Sequence, residues 1–600
     1  MLMKKLILLI TACALFLAGC NVLKPLDANP TGTDPQLYET NPVDVEFETD
    51  DDYLFTDKDD KTDYSESDSA VITMSGSSVT CNASSVQISG TTVTITKEGT
   101  YILRGSLDNG SIVIAAGEKD KPHLIFEGVS IASTSSAAVY VRSADKVFVT
   151  LAEGTENTLS NGGSFTPDGE INIDGVIYSK QDLTINGSGS LTVTSPAGHG
   201  IVCNDDLAIT GGAITIHSAS RGLDANDSVR IKDGNLTIDA GKDGIHVEDA
   251  DDDTTGFMYL SGGTVKIEAE GDGISAALHM QISGGTLEIL AGGGYENGES
   301  HSSGGWGDFM GGGMKPPGGQ RPRGGVVATV AADDASTSMK GLKAGAGILI
   351  NGGTITIDSA DDGIHSNDVA VINGGQIQIS SGDDGIHADT ELNITDGTIT
   401  IDHSYEGLEA QNILISGGDT SLIATDDGLN AAGGVDGSGE GGRDQMIGGR
   451  PGGMGGGASN GSITIAGGKL YIESSGDGMD ANGYLQITGG FTMVCGPNSG
   501  DTATLDYDIS GTITGGVFIG TGASGMAQSF SSGSQGVLAT RVNAQSANTT
   551  VTVTDSKGTE LVSFQPKLAF SVFIYSTPEL VSGESYHVVI GSVEGDIKAS

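Results

Sequence analysis

The sequence predicts an all-β chain wound as a right-handed parallel β-helix, with three short strands in each coil of about 22 residues. Glycines that follow an acidic residue recur at this spacing, as at Gly363, Gly385 and Gly407. A second series of Gly-Gly pairs recurs beside them, as at Gly352-Gly353 and Gly374-Gly375. Between these glycines the chain alternates apolar and polar residues over four or five positions, which is the period of half-buried strands.

One coil shows the three predicted strands most clearly, at Thr354–Asp358, Gly363–Asn367 and Val369–Asn373. Glycine supplies the left-handed turn conformations between strands. Equivalent residues of successive coils then lie about 4.8 Å apart. The residues that we expect to point inward in this coil are Ile355, Ile357, Ile364, Val369 and Val371.

The first 19 residues are typical of a lipoprotein signal peptide. Lys4 and Lys5 precede an apolar run that is too short to span a bilayer, and Leu17-Ala18-Gly19-Cys20 forms the cleavage sequence. The Cys20 thiol would carry the lipid, which predicts a chain anchored at the extracellular face of the cell membrane. An ordinary cleaved signal peptide is the alternative. Residues 20–69 are acidic and poor in branched aliphatic residues, which predicts a solvated, flexible tether.

Residues 70–531 carry the repeat, and residues 532–600 do not. Past about Ser532, longer alternating segments predict a small C-terminal antiparallel β-module. Two glycine-rich inserts, 292–338 and 433–460, interrupt the repeat beside the second strand of the coil. Loops inserted on one edge of a solenoid usually frame its binding surface. Neutral variation at a tolerant site is the alternative.

The charge balance restricts the partners. The chain has 78 acidic and 29 basic residues, a formal net charge of −49. Phosphate would be repelled, so we expect no nucleic-acid partner, whereas divalent cations would be attracted. Beyond Cys20 only Cys81, Cys203 and Cys495 remain, which implies no disulfide framework.

The second strand begins with an acidic residue in successive coils, and several of these acids are doubled. Carboxylates one coil apart repel by about 3 kcal/mol per pair at an effective dielectric near 20. A calcium ion with oxygen bonds of about 2.4 Å fits between oxygens about 4.8 Å apart, and oxygen donors without cysteine favour calcium over zinc. The alternative, compatible with the first, is that these acids cap turns by accepting backbone N–H bonds. The predicted calcium ligands are Asp243, Asp272, Asp361, Asp362, Asp383, Asp384, Asp426, Asp427 and Asp477.

A second outward series lies three positions beyond each acid. We predict that its members His365, His387 and Glu409 contact sugar, with Trp306 and Tyr295 of the first insert as an aromatic platform. Metal ligation by the stacked His365 and His387 is an alternative. Asn430 and Asp480 continue the same series. A solvated face without a ligand is the alternative.

Together these features resemble the carbohydrate-binding, polysaccharide-lyase-like (pectate-lyase-like) β-helix lipoproteins of bacteria. The resemblance is carried by the cleavage sequence before Cys20, the Asp-Gly-Ile repeats and the insert around Trp306 to Gly325, and it covers most of residues 70–500. It implies a calcium-binding fold that binds plant cell-wall polysaccharide, such as cellulose or acidic pectin-type glycan, without established catalysis. We therefore expect a surface-anchored, calcium-dependent, monomeric polysaccharide-binding protein.

Two other classes of function stay open. Asn172-Ile-Asp174, Gly198-His-Gly200 and Arg230-Ile-Lys232 occur in the order that polygalacturonases use, but no Asp-Asp pair stands between the first two motifs. A pectate lyase would need a basic residue, commonly arginine, and Arg221 and Arg230 are the only arginines in the regular coils. An adhesin or structural stalk is the remaining alternative.

Overall fold

The computed structural model describes residues 23–26, 47–252, 254–298, 338–432, 461–498, 500 and 502–600. Strands dominate these ranges. Their helical elements are the α-turn Asp51–Leu54 and the 3₁₀ turns Glu66–Asp68 and Tyr295–Asn297. The all-β prediction is therefore confirmed. Within the described ranges, no helix combines the length and the apolar character needed to cross a bilayer.

The strands form three ladders of parallel pairs, and each ladder repeats at the spacing predicted from the glycines. In the first ladder Thr354 pairs with Gln376, in the second Ile364 pairs with Ile386, and in the third Ala370 pairs with Leu392. Each of these partners lies 22 residues further along the chain. Equivalent side chains of successive coils therefore form continuous columns.

The first ladder carries the outward threonine-rich positions. Its strands are Glu156–Asn161, Ser190–Ser195, Thr264–Ala269, Thr286–Ala291, Thr354–Ser359, Gln376–Ser381, Thr398–Ser404, Asp419–Ala424, Lys469–Ser474, Phe491–Cys495 and Val517–Gly522.

The second ladder is built from short strands that follow the acidic residues. Its strands are Thr92–Ile95, Ser111–Ala115, Val139–Ser143, Gly175–Ser179, His199–Cys203, Leu223–Ala225, Ile245–Val247, Ile274–Ala276, Leu342–Ala344, Ile364–Ser366, Leu429–Ala431, Met479–Ala481 and Asp506–Tyr507.

The third ladder completes the coil. Its strands are Lys146–Leu151, Asp182–Gly187, Phe257–Leu260, His279–Ile282, Gly347–Ile350, Val369–Ile372, Ser462–Ile465, Tyr484–Ile487, Ser510–Ile513 and Ser532–Gly533. Some strands continue from the third ladder into the first: Ala70–Gly76, Thr100–Leu107, His123–Ser133, Asp206–Ser218 and Ser228–Ala240. Ile386–Ile394 and Leu408–Ile415 belong to both the second and the third ladder.

Antiparallel pairs lie at both ends of the ladders. At the start, Ser78–Cys81 pairs with Ala70–Gly76, and Val86–Ser89 pairs with Thr92–Ile95. At the other end, Phe570–Ser576 pairs with Val517–Gly522 and with Val537–Gln545, which also pairs with Lys24–Pro25. The last element is a four-stranded antiparallel sheet of Val551–Thr554, Glu560–Phe564, Ser585–Ile590 and Val593–Lys598.

The inward residues form one long hydrophobic core. Ile355, Ile357 and Ile364 are buried in it, as predicted. The prediction was wrong for Val369 and Val371, because the inward residues of that strand are Ala370 and Ile372. The strand reads Val-Ala-Val-Ile, so its apolar residues lie on both faces and alternation alone does not identify the inward one.

The two glycine series have different physical reasons. Gly375, the second glycine of a Gly-Gly pair, has a φ of +96°, which favours glycine. Gly363, which follows an acid, has no such conformation. A Cβ on Gly363 would lie 2.6 Å from the carbonyl oxygen of Gly385 and would also collide with Ile379. Glycine recurs after the acids because a side chain at this position would collide with the next coil.

Part of the region predicted as a flexible tether packs against the ladders. Residues 47–61, the N-terminal segment, lie along the outward face of the third ladder. Thr49 N–H donates to Gln281 Oε1 at 2.9 Å, and Leu54 packs in a cluster with Tyr259. The carboxylate of Asp59 lies 2.8 Å from Lys146 Nζ. The described residues of this region thus have apolar and ionic anchors that its acidic composition conceals.

Candidate functional site

The acids that begin the second ladder lie in one column. The N–H of Gly363 donates to the Asp384 carbonyl at 2.8 Å, and the N–H of Gly385 donates to the Glu406 carbonyl at 2.9 Å. The same bond repeats in neighbouring coils. The acid column comprises Asp243, Asp272, Lys340, Asp362, Asp384, Glu406, Asp427 and Asp477.

Carboxylates of this column also cap the next coil. Asp362 Oδ1 accepts the N–H of Asp384 at 3.0 Å, and Asp427 Oδ1 accepts the N–H of Asp477 at 2.5 Å. Asp243 Oδ1 does the same for Asp272 at 3.0 Å. The alternative that these acids cap turns is therefore correct for one carboxylate oxygen of each acid. Whether a cation is also needed depends on the partners of the second oxygen.

In the first half of the column, the chain itself supplies the positive charge. Lys340 replaces an acid in the column and is fully buried, with Nζ 2.5 Å from Asp362 Oδ2 and 3.1 Å from Asp361 Oδ1. Burial alone would raise the pKa of Asp362, but Lys340 and His365 outweigh it and hold the pKa below its usual range. Lys343 Nζ lies 3.7 Å from Asp272.

Asp243 is compensated in the same way. Its Oδ2 lies 3.3 Å from His246 Nδ1 and 3.5 Å from Arg221 Nε. The repulsion that led us to predict calcium at Asp243 and Asp362 is thus already relieved by basic side chains, whereas burial and the charge of Asp243 raise the pKa of Asp272 despite Lys343. A search for acids at the repeat spacing passes over these partners, because Lys340 and Arg221 stand where other coils carry an acid and Lys343 stands in the polar column.

A polar column runs beside the acid column on the second ladder. The paired residues are Asp224, His246, Ser275, Lys343, His365, His387, Glu409, Asn430, Asp480 and Asp506. The His365 and His387 rings stack at 4.7 Å with 9° between their planes, and both side chains are buried. The alternative of a solvated face is wrong for this pair.

The two histidines bond to residues of their own columns. His365 Nδ1 lies 2.8 Å from Asp362 and its Nε2 lies 2.9 Å from Asn367 Oδ1. His387 Nδ1 lies 2.8 Å from Glu409 Oε2 and 3.2 Å from Asp384, while its Nε2 lies 3.1 Å from Asp389. Burial would lower the pKa of His387, but these carboxylates raise it well above its usual value. His365, His387 and Glu409 therefore form an internal network rather than an open sugar platform.

The charge balance changes at the C-terminal half of the columns. Carboxylate oxygens of Asp427, Asp477 and Asp480 lie within 4.8 Å of one another. Among the described residues, no basic side chain forms an ion pair with these three. Burial, followed by the neighbouring carboxylates, raises the pKa of Asp427 to about 8, of Asp477 to about 7 and of Asp480 to about 6.

Asn430 is the ladder neighbour of Asp480 and offers a further oxygen. It lies between Glu409 and Asp480 in the polar column, and its Nδ2 donates to Glu406 Oε2 at 2.7 Å. Its side chain is 9% exposed, and its buried Oδ1 has no hydrogen-bond partner among the described residues. Buried polar atoms are rarely left unpaired. Three carboxylates and an uncommitted amide oxygen are the donor set that calcium prefers, so these residues fit the ion.

We call Asp427, Asn430, Asp477 and Asp480 the acid cluster. The sequence identified Asp427 and Asp477 as metal ligands but assigned Asn430 and Asp480 no metal role. Their position three residues beyond an acid was the available signal. The remaining doubled acids lie in the preceding coils and beside Asp427. Oxygens of Asp361, Asp362 and Asp383 lie within 4.8 Å of one another. Asp426 accepts a hydrogen bond from Tyr405.

The other predicted site residues do not join this cluster. Trp306 and Cys20 lie outside the described residues. Tyr295 contacts the first ladder instead, with its N–H donating to Asp358 Oδ1 at 2.7 Å and its ring 4.7 Å from that of His403.

The three polygalacturonase-like motifs do not converge either. His199 Nδ1 lies 3.8 Å from Asp224, and Asp174 interacts electrostatically with both. Arg230 of the third motif lies on the third ladder, where it pairs with Asp206 at 2.5 Å and donates to the Leu54 carbonyl. Arg221 takes the place beside Asp224, at 3.2 Å.

The ladders and the acid cluster define an all-β repeat protein with a concentrated set of oxygen ligands. Residues 89–385 match the family described as carbohydrate-binding domain-containing protein. The matched residues include the lysine-compensated half of the acid column and end before the acid cluster.

Two proteins of known sequence or structure are similar to parts of this chain. A carbohydrate-binding domain-containing protein of Acetivibrio thermocellus is 37% identical over 137 residues, which are 22% of this chain and 48% of that protein. The chain thus spans about half the length of this curated relative. A solved polysaccharide lyase-like protein from C. thermocellum, studied as a gadolinium derivative, is 36% identical, with a TM-score of 0.37 over 38% of this chain and 92% of that one.

Proposed function

We propose that this chain binds cell-wall polysaccharide at the cell surface, and that calcium held by the acid cluster mediates the binding of acidic, pectin-type glycans. The observation that carries the proposal is the approach of carboxylate oxygens of Asp427, Asp477 and Asp480 to within 4.8 Å, beside the ladder position of Asn430. The family of residues 89–385 supports a carbohydrate as the partner.

The ligand count explains how a glycan would be recruited. Calcium takes about six to eight oxygen ligands, and the acid cluster offers four side chains. Asp427 also keeps one oxygen on the N–H of Asp477. A bound ion would supply positive charge and open coordination positions to a uronate carboxylate. Without that charge, the same carboxylates would repel an acidic glycan.

Calcium titration tests this proposal on the mature chain. We expect Asp480→Asn to weaken calcium binding by about tenfold or more, since it removes one charged ligand of the cluster. Binding of oligogalacturonate should fall in parallel. The matched control is Asp419→Asn, an exposed acid of the first ladder that pairs with Lys469 at 3.1 Å. Oligogalacturonate binding that persists unchanged in chelator would contradict the calcium-mediated mechanism.

The ladders also support the architecture predicted from the repeat. We propose that they wind as a right-handed parallel β-helix, because parallel pairs at an offset of 22 residues recur in all three ladders. The acid and polar columns would then form one continuous stripe along the molecule.

Surface attachment is the remaining part of the proposal. We propose that Cys20 is lipidated and that the chain acts as a monomer at the extracellular face of the membrane. Leu23 to Leu26 lie against the C-terminal strands, where Leu26 N–H donates to the Ala539 carbonyl at 3.1 Å. A lipid on Cys20 would therefore hold this end of the molecule at the membrane.

A further inference from the structure

A cavity of about 400 Å³ lies between the N-terminal segment and the third ladder. Its volume lies within the range of about 300–1,000 Å³ that small-ligand sites occupy. None of its lining residues belongs to the acid cluster or the columns. The lining includes Glu48, Thr49, Asp50, Tyr53, His279 and Gln281.

Tyr53 presents an aromatic ring at this cavity without packing against the protein. Its side chain is 84% exposed, whereas the adjacent Leu54 and Phe55 are buried against the third ladder. Asp50 caps the short α-turn by accepting the Tyr53 N–H at 3.0 Å. The ring is therefore held on an anchored backbone with its faces available, and an aromatic face is suited to the apolar C–H face of a sugar ring.

Polar atoms of the lining could bind sugar hydroxyls. Gln281 fixes Thr49 by accepting its N–H and donating to its carbonyl, both at 2.9 Å. The Thr49 hydroxyl oxygen is nevertheless buried, with no hydrogen-bond partner in the part of the chain that the structure describes. The carboxylates of Glu48 and Asp50 line the same cavity. Few precisely placed polar groups around an aromatic surface are typical of a ligand site.

The charge of the lining selects the class of sugar. Glu48 and Asp50 are acidic, and the described residues of the lining include no lysine or arginine, while the His279 ring stacks on Phe47 at 4.2 Å. A uronate carboxylate would be repelled, whereas neutral hydroxyls could donate to these acids. We propose that this cavity is a calcium-independent subsite for a neutral sugar ring of a polysaccharide. The inference rests on the proposed carbohydrate-binding function and assigns to it a second ligand class.

Calorimetric titration of the mature chain with cellohexaose in chelator tests the subsite. We expect Tyr53→Ala to weaken binding by about tenfold, the cost of losing one stacked ring. Thr49→Val should weaken it as well, because it removes the unpartnered hydroxyl at nearly constant volume. Tyr64→Ala, which alters another partly exposed tyrosine whose hydroxyl bonds to Glu127, should leave binding unchanged. Thermal unfolding of each variant establishes that it is folded.

The outcomes separate this inference from the calcium mechanism. Equal cellohexaose affinity in Tyr53→Ala and the wild type would overturn the subsite. Absence of cellohexaose binding beside intact calcium-dependent oligogalacturonate binding would overturn it too, while leaving the acid cluster in place. Tighter binding of a cationic glucosamine hexamer than of cellohexaose would show that the assigned ligand class is wrong.

Discussion

Lys340 shows how one residue changes the role of a repeated acid. It occupies an acid position in the column, yet it is fully buried and pairs with Asp361 and Asp362. We expect Lys340→Met to lower the free energy of unfolding by about 3–5 kcal/mol, because it leaves a buried carboxylate without its counter-charge. Denaturant-induced unfolding at neutral pH measures this loss.

The control for this prediction is an exposed ion pair. Lys469→Met removes the partner of Asp419 on the surface of the first ladder and should cost less than about 1 kcal/mol. If both substitutions cost the same, Lys340 does not compensate the column as the structure indicates.

Single residues also set the limit of what the sequence could predict. The 22-residue spacing was enough to place Asp362, Asp384 and Asp427 in one column, because identical offsets produce identical positions in successive coils. The spacing could not show that Lys340, between two acids of the column, neutralises one of them. The burial of His365 and His387 was equally invisible, since it depends on side chains of neighbouring coils.

The N-terminal segment makes the same point at the scale of an element. Its acidic composition predicts a solvated tether, but Leu54 and Phe55 pack against the third ladder. A few anchoring residues decide whether such a segment docks, and average composition does not identify them. The same docking explains why outward positions of the third ladder, such as Ala208 and Tyr259, are apolar and buried.

Asp59 makes this docking sensitive to pH. Burial alone would raise the pKa of Asp59, but Lys146 and the hydroxyl of Thr184 lower it to about 2. Since the folded pKa lies below the unfolded value of about 3.9, this stabilisation is present above about pH 4 and is lost as the pH falls toward 2. The hydrogen-exchange protection factors of residues 47–61, each referred to the intrinsic exchange rate at the same pH, should therefore fall between pH 4 and pH 2.

Substitution separates this effect from general acid unfolding. Asp59→Asn should accelerate exchange of the segment already at neutral pH, because the ion pair with Lys146 is lost. Asp57→Asn alters an exposed neighbour and should leave exchange unchanged. Equal exchange in the two variants would mean that Asp59 does not hold the segment.

The whole molecule has a defined direction relative to its proposed anchor. Only two residues lie between Cys20 and Leu23, so the three steps of chain reach about 11 Å at most. Leu23 and Leu26 lie at the C-terminal strands, so a lipid on Cys20 would hold that end near the membrane. The Tyr53 cavity, against the coil of Phe257 and His279, would then lie farther out than the acid cluster.

Fluorescence quenching by brominated lipids tests this orientation in membranes carrying the lipidated chain. Labels are placed in a Cys81→Ser background, because Cys203 and Cys495 are buried. Val581→Cys labels an exposed site at the C-terminal end. The adjacent Leu580 is bonded to the C-terminal strands, since its carbonyl accepts the N–H of Gly536 at 2.9 Å. Asp108→Cys labels an exposed site in the early coils. We expect strong quenching at 581 and little at 108.

A variant at the docked residues establishes what produces the difference. Leu26 is buried at the C-terminal end, and Leu26→Asp should release the docked residues, since a buried carboxylate without a partner is unfavourable. The early coils could then approach the membrane, and the two labels should be quenched more equally. Lys24→Gln changes an exposed side chain at the same strand and should preserve the difference. Equal quenching at both sites without any substitution would mean that the chain is tethered flexibly, as its acidic N-terminal composition first suggested.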